Sequence, residues 1–187
     1  MNSLKRCFWV TPNCPLYEKY HDLEWGVPVY DDRKHFEFLI LESAQAGLSW
    51  LTILRRREGY KEAFADFDPE KVALFTEKKI LELMVNPKII RNQKKIRAAV
   101  NNAKLFLLIQ KEFGSFTKYI WNFVHNKQIQ NRPKIPQDVP TETEEAKALA
   151  KDLKKRGFTF LGPKIIYAHM QATGLVNDHT EDCFCLN

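Results

Sequence analysis

The chain has 187 residues and a net charge of +6, with 44% hydrophobic and 28% charged residues. That length buries a substantial interior without disulfide staples, as one domain or two small lobes. The longest uncharged runs fall short of the roughly 20 apolar residues a membrane-spanning helix requires. A positive balance favours polyanionic partners, nucleic acid or acidic membrane surfaces, without choosing between them. No long apolar segment follows the N-terminal Met1-Asn-Ser-Leu-Lys-Arg-Cys-Phe-Trp9, so no secretory signal is visible. The four cysteines are then expected in a reducing compartment, as thiols or metal ligands.

Taken in chain order, the pattern is helical almost throughout. Asp31 and Asp32 offer N-caps ahead of an apolar stretch beginning at Phe36. Asp68-Pro69-Glu70 reads as N-cap, first-position proline and first-turn acid. Thr76 opens a short helix ending near Asn86-Pro87, and Asn92 caps a long amphipathic helix with Ile96, Ala99, Val100, Ala103, Phe106 and Leu107 on one side. Gly114 stops that helix and Ser115 caps the next. Residues 126–140, with three prolines, are expected as a loop. Thr141 or Thr143 opens another helix that ends at Gly157, and a last helix runs from about Pro163 to Gly174. No period-two alternation is sustained, so the expected class is all-α.

Glu42 is the only charged residue between Glu37 and Arg55. A lone carboxylate in an apolar stretch must gain a partner, take up a proton or serve a purpose. Trp9, Tyr20, Trp25 and Trp50 offer aromatic faces nearby, though most aromatics in such a chain pack the core. An isolated acid, aromatic faces and a basic surface together suggest a pocket for an electron-poor, cationic ring.

Two further constellations stand out. In the first, a basic helix ends at Gly157, an apolar link follows, and Gly162-Pro163-Lys164 begins a second helix. This reads as a helix–hairpin–helix gripping the DNA backbone, with free N–H groups facing a phosphate; it reads equally as an ordinary turn with a glycine C-cap. The basic clusters Arg55–Arg57 and Lys88–Arg97 lean toward DNA, although a solvated helix face is the usual explanation of such a charge run. In the second, Cys7 and His21 at one end of the chain and His179 and Cys183 at the other make a Cys2His2 set suited to tetrahedral zinc. Four protein ligands would leave no open position, so such a zinc would be structural. Simple thiols and ordinary histidines are the alternative, and Cys14 and Cys185 compete as ligands.

The segments Tyr20-His-Asp-Leu-Glu-Trp25-Gly-Val-Pro28, Leu41-Glu42-Ser-Ala-Gln-Ala-Gly47-Leu48-Ser-Trp50, Lys155-Arg-Gly157-Phe-Thr-Phe-Leu-Gly162 and Gly174-Leu-Val-Asn-Asp178-His179 resemble the bacterial 3-methyladenine DNA glycosylase I family. The resemblance runs from Cys7 to Cys183. It implies a helix–hairpin–helix glycosylase, one module over 1–187 with a helical core at about 31–174, a hairpin at 153–168, and termini at about 1–30 and 175–187 joined by one structural zinc. The implied activity is monofunctional removal of 3-methyladenine from alkylated double-stranded DNA by a cytoplasmic, bacterial, monomeric enzyme associated with the nucleoid, with no membrane partner and the free base as product. The resemblance maps the zinc ligands onto Cys7, His21, His179 and Cys183, and the base-recognising acid onto Glu42. It places Trp9, Tyr20, Trp25 and Trp50 in the pocket. Gly47 and Leu48 match the turn that wedges into the gap left by a flipped nucleotide. Gly157, Gly162 and Lys164 fall in the DNA-gripping hairpin. Ser43-Ala44 departs from a Gly-Gln pair found in some members, at no mapped position. Asp178 follows the hairpin as catalytic aspartates do in other helix–hairpin–helix glycosylases, but a capping or supporting role beside a zinc ligand is preferred.

Overall fold

The computed structural model describes residues 4–45 and 47–186. Ten helices account for most of them: α1 (Pro15–Leu23), α2 (Asp32–Gln45), α3 (Trp50–Leu54), α4 (Arg57–Ala63), α5 (Pro69–Ala73), α6 (Glu77–Val85), α7 (Gln93–Phe113), α8 (Phe116–Trp121), α9 (Glu144–Lys155) and α10 (Pro163–Ala172). Two positions frame the site. α2 is buried at every residue from His35 to Ala44, as befits a helix apolar on all sides. α7 packs across α2, α5, α6 and α8. Where α2, α7 and α8 meet, Phe106 stacks on Phe116 and meets Phe36 edge-on, with ring centroids 4.2 and 5.2 Å apart.

Local capping chemistry sets most boundaries. Asp68, Thr76, Asn92, Ser115 and Thr143 each accept a hydrogen bond from a first-turn N–H of the helix they precede. Asp31 caps α2, taking the Lys34 N–H at 2.7 Å. Asp32 does not cap its own helix. Its carboxylate accepts from the Phe116 and Thr117 N–H groups, both at 2.8 Å, and so caps α8 from across the core.

Three expectations change. α1 was not anticipated, because its N-cap, Cys14, makes no side-chain cap bond and only Pro15 signals the start. The last helix ends at Ala172 rather than Gly174. The all-α class holds except for one small feature. Within the expected loop, β1 (Ile129–Gln130) pairs in parallel with β2 (Val176–Asn177). A two-residue strand is too short for alternation to show, and its partner lies far along the chain. The pair ties the segment after α8 to the segment after α10.

Candidate functional site: an aromatic pocket beside a Cys/His cluster

A pocket of about 490 Å³ opens between α1, α2, α3 and α10. Its walls include Trp9, Tyr20, Trp25, Glu42 and Trp50, so all five expected base-binding residues converge there, and Lys164 lines it as well. The rings form a connected wall: Trp9–Trp25 centroids are 4.8 Å apart, Trp9–Tyr20 6.3 Å and Tyr20–Trp50 5.4 Å. Tyr17, Gln45, Tyr167 and Gln171 also line it, as do Pro136 and Val139 to Thr141. Tyr17 lies three residues before Tyr20 on one face of α1, a signal that becomes legible once that helix is recognised. The Pro136–Thr141 segment carries no local signal, because it reaches the pocket only through tertiary packing.

Three polar groups of this pocket lack partners among the described residues, whereas Gln45, Tyr167 and Gln171 are hydrogen-bonded. Glu42 is 4% exposed, and among the described residues it has neither a hydrogen-bond donor nor a cation beside it. Burial alone pushes its carboxyl up to about 8. The indole N–H groups of Trp9 and Trp50 are buried and likewise unpartnered. Burial, with Glu42 nearby, holds the Tyr20 phenol protonated well above its ordinary range. A carboxyl and two free N–H donors among these aromatic rings can accept a flat, polar, cationic ring and complete its hydrogen bonds.

Asp178 presents the opposite arrangement. It is buried, and its carboxylate accepts from the Tyr167 hydroxyl at 2.6 Å, Gln171 Nε2 at 2.7 Å and Asn131 Nδ2 at 2.7 Å. Tyr167 and Gln171 line the pocket, whereas Asp178 does not. It holds the pocket wall in place.

Behind the aromatic wall, Cys7, His21, His179 and Cys183 are all buried, with their ligand atoms within 4.8 Å of one another. Cys7 Sγ lies 3.4 Å from His179 Nδ1, and Cys183 Sγ lies 3.4 Å from His179 Nδ1 and 3.5 Å from His21 Nε2. Tetrahedral coordination at ordinary Zn–S and Zn–N distances puts sulfur and nitrogen about 3.6 Å apart, so this spacing fits a metal ion at the centre. The remaining imidazole nitrogens are held from outside. His21 Nδ1 donates to Asp22 Oδ1 at 2.8 Å, and His179 Nε2 donates to the Trp25 carbonyl at 2.9 Å. Each histidine therefore turns an unprotonated nitrogen inward, the arrangement typical of metal ligands. The Thr180 N–H donates to Cys7 Sγ at 3.3 Å, as suits a thiolate. The cluster could hold a metal. Cys185 approaches only His21 Nδ1, at 4.0 Å, on the nitrogen that Asp22 already occupies, and Cys14 heads α1; neither belongs to the four-membered set. Trp9 packs against His21 and Trp25 against His179, with centroids 5.2 and 4.8 Å apart. The two tryptophans thus serve the cluster and the pocket at once.

The hairpin between α9 and α10 contains two glycines with different reasons for being there. Gly157 sits at φ +97°. The Phe158 and Gly157 N–H groups return to the Leu153 and Lys154 carbonyls, a Schellman end that needs a left-handed residue. Gly157 is thus accounted for by helix termination. Gly162, at φ −71° and ψ 168°, adopts a conformation open to any residue, and a Cβ there would meet nothing within 4 Å. Nothing inside the fold requires it to be glycine. Gly47, at φ +84°, forms the turn after α2; the Leu48 N–H donates to the Gln45 carbonyl at 2.7 Å and Gln45 Nε2 donates to the Leu48 carbonyl at 2.9 Å. Leu48 is exposed on that turn, between pocket-lining Gln45 and Trp50. The basic clusters are less free than their sequence suggests. Arg57 is bonded to Glu24 and Glu37, Arg56 reaches the Pro87 carbonyl, Lys88 pairs with Glu62, and Arg97 pairs with Glu77.

The sequence model of the methyladenine glycosylase family matches residues 9–186. The chain belongs to that family. DNA-3-methyladenine glycosylase of Haemophilus influenzae is 49% identical over 180 residues, which cover 96% of this chain and 97% of the relative. DNA-3-methyladenine glycosylase 1 of Escherichia coli is 44% identical, covering 97% of each chain. A crystal structure of 3-methyladenine DNA glycosylase I superposes with a TM-score of 0.94 at 46% identity, covering 97% of this chain and 99% of the other. The Staphylococcus aureus member, solved to show the structural basis of 3-methyladenine recognition, superposes with a TM-score of 0.90 at 44% identity over 92% of each chain. The helical fold is therefore that of the family. Among the described residues no helix is long and apolar enough to cross a membrane.

Proposed function

We propose that this protein is a base-excision repair enzyme, a DNA glycosylase that hydrolyses the N-glycosidic bond of 3-methyladenine in alkylated DNA. Its family membership supports the activity, and a homologous structure is a complex with 3-methyladenine itself. The observation that carries the reading here is Glu42: a buried carboxyl with no partner among the described residues, walled by aromatic rings. N3-alkylation gives adenine a positive charge and weakens its bond to the sugar. The base is already a good leaving group, so no strong general acid is needed, and the strand is left uncut.

The target nucleotide leaves the duplex stack at a cost of a few kcal/mol. Stacking on the pocket rings returns about 1–3 kcal/mol, and a cation over indole adds on the order of 1–2 kcal/mol where water is excluded. Glu42 ionises against the cationic ring and accepts from its exocyclic amine. Unmodified adenine lacks the charge, so Glu42 keeps its proton and the pair does not form. Gly47 and Leu48 fill the gap in the duplex, and the hairpin with Gly162 and Lys164 holds the phosphate backbone. Gly162 fits this role because its missing side chain serves no contact within the fold. The assay that tests the reading is release of free base from methylated DNA, with the product identified. Binding of damaged DNA with no base released would make the chain a recognition module instead.

The Cys7–His21–His179–Cys183 cluster holds one structural zinc in this reading. Two thiolates and two imidazoles are the donors zinc favours, and four of them close the coordination shell. The ion would join the segment before α1 to the one after α10 and brace Trp9 and Trp25 from behind, taking no part in bond cleavage. The module then spans residues 1–187 as one unit.

A further inference from the structure

Halfway along α7 stand two adjacent asparagines, Asn101 and Asn102, residues that weaken a helix interior. Asn102 is buried, and its side-chain amide forms a closed pair with the hairpin backbone. Nδ2 donates to the Thr159 carbonyl at 2.9 Å, and the Thr159 N–H donates to Oδ1 at 3.0 Å. Asn101 Nδ2 donates to the Gly157 carbonyl at 3.0 Å. The hairpin has no regular structure of its own between Gly157 and Gly162. Its other anchors, Phe158 and Leu161, are buried apolar side chains, which attract without fixing direction. Between them Phe160 is turned outward at φ +57°, a conformation an aromatic residue adopts only when its neighbours are held.

We propose that Asn102 is a positioning residue for DNA binding. Its amide clamps the backbone of Thr159 and so sets the height at which the α9–α10 hairpin meets the phosphate backbone. The proposal rests on the reading of that hairpin as the DNA-gripping element. Hydrogen bonds from backbone N–H groups to phosphate lose strength steeply with distance and angle. A hairpin free to shift by part of an ångström would therefore grip poorly even with every residue present.

Asn102→Ala tests this. Alanine favours the helix, so α7 persists. Thr159 is exposed, so its freed N–H and carbonyl can turn to water. The variant is expected to bind a duplex with an abasic site about tenfold more weakly, and its KM for methylated DNA should rise in step. kcat at saturation and affinity for free 3-methyladenine should stay at wild-type values, while hydrogen exchange at the Thr159 amide accelerates. Asn102→Asp, which keeps the acceptor but loses the donor, should shift the same quantities in the same direction and serves if the alanine variant folds poorly. Parallel losses of duplex affinity and free-base affinity would reduce Asn102 to a structural residue and overturn the proposal. Unchanged duplex affinity alongside faster Thr159 exchange would overturn it too. Gly162→Asp separates the two layers. If it weakens duplex binding while Asn102→Ala does not, only the clamp falls. If Gly162→Asp also leaves duplex binding intact, the hairpin reading fails and the clamp with it.

Discussion

Asp178 and Glu42 are both buried carboxyls, one bonded to the pocket wall and one lining the pocket, and their surroundings differ in kind. Asp178 receives three donors, each at 2.6–2.7 Å, and Glu42 receives none among the described residues. The same contrast separates two regions. In the C-terminal segment and the cluster it joins, polar atoms have partners: imidazole nitrogens on Asp22 and Trp25, and Cys7 under the Thr180 N–H. In the pocket, the indole N–H groups of Trp9 and Trp50 are buried without partners, and Glu42 has no donor among the described residues; outside it, His169 Nδ1 on α10 is also buried and unpartnered. A group with all its partners inside the protein maintains shape, whereas a buried group without one costs stability that a ligand able to bond it can return. The contrast sets Asp178 among the groups that support the pocket and Glu42 among those that face it.

Disrupting the Cys/His cluster should have the largest effect on this division. One zinc per chain is expected on metal analysis of the purified protein. Cys7→Ser should cost roughly 4 kcal/mol, lowering Tm by about 10 °C in a chain of this size. Molecules that remain folded should excise at nearly the wild-type rate. A metal-free protein with an unchanged melting temperature would remove the site.

Glu42→Gln should do the reverse, since it alters the open region. Excision of 3-methyladenine should fall roughly a hundredfold, about 3 kcal/mol of transition-state stabilisation, with the fold intact. Stability should respond to pH with a definite sign. Burial raises the Glu42 carboxyl from an ordinary 4.5 to about 8 in the folded chain. Between these values the folded state keeps a proton that the unfolded chain has released. Stability from this group therefore falls as pH rises through that window, by up to about 1.4 kcal/mol per unit, and levels off above it. The glutamine variant should lack this slope and be the more stable protein at pH 8 in denaturant titrations. Wild-type excision together with an unchanged slope would place Glu42 among the groups that support the pocket.

What the sequence made legible was local chemistry. Asp68-Pro69, Thr76, Asn92, Ser115 and Thr143 mark helix starts because a cap is a contact between near neighbours. Glu42 stood out because one charge interrupts a run that is otherwise apolar. Features defined by distant partners were not legible. Asp32 caps α8 rather than α2, the β1–β2 pair joins segments nearly fifty residues apart, and Asn102 reaches the hairpin across the core. Arg57 read as a surface charge and is instead held by Glu24 and Glu37. Side chains with no local partner are ambiguous until their tertiary one is visible.

A smaller effect is expected at the hairpin. Gly162→Asp adds bulk and negative charge where a phosphate would lie, in space empty within the fold. Duplex affinity should fall about ten- to thirtyfold across all sequences, and folding should be undisturbed. Wild-type binding should itself weaken steeply with salt. Equal affinity of variant and wild type for an abasic duplex would take the hairpin out of the interface.

The smallest expected effect bears most directly on how the open region selects its ligand. Free 3-methyladenine differs from adenine by one methyl group and by a greater tendency to carry positive charge. Burying the methyl contributes roughly 1 kcal/mol at most, and the charge-dependent contacts add about one or two more. Trp50→Leu keeps apolar bulk but removes both the indole face and its unpartnered N–H. The preference for 3-methyladenine over adenine should shrink about three- to tenfold in this variant, and comparably in Glu42→Gln. Titrations followed by the fluorescence of the remaining tryptophans, or by NMR where the signal is weak, would compare all three proteins. If both variants kept the full wild-type preference, shape alone would explain discrimination. The unpartnered groups of the pocket would then be a cost of the fold rather than the means by which it reads charge.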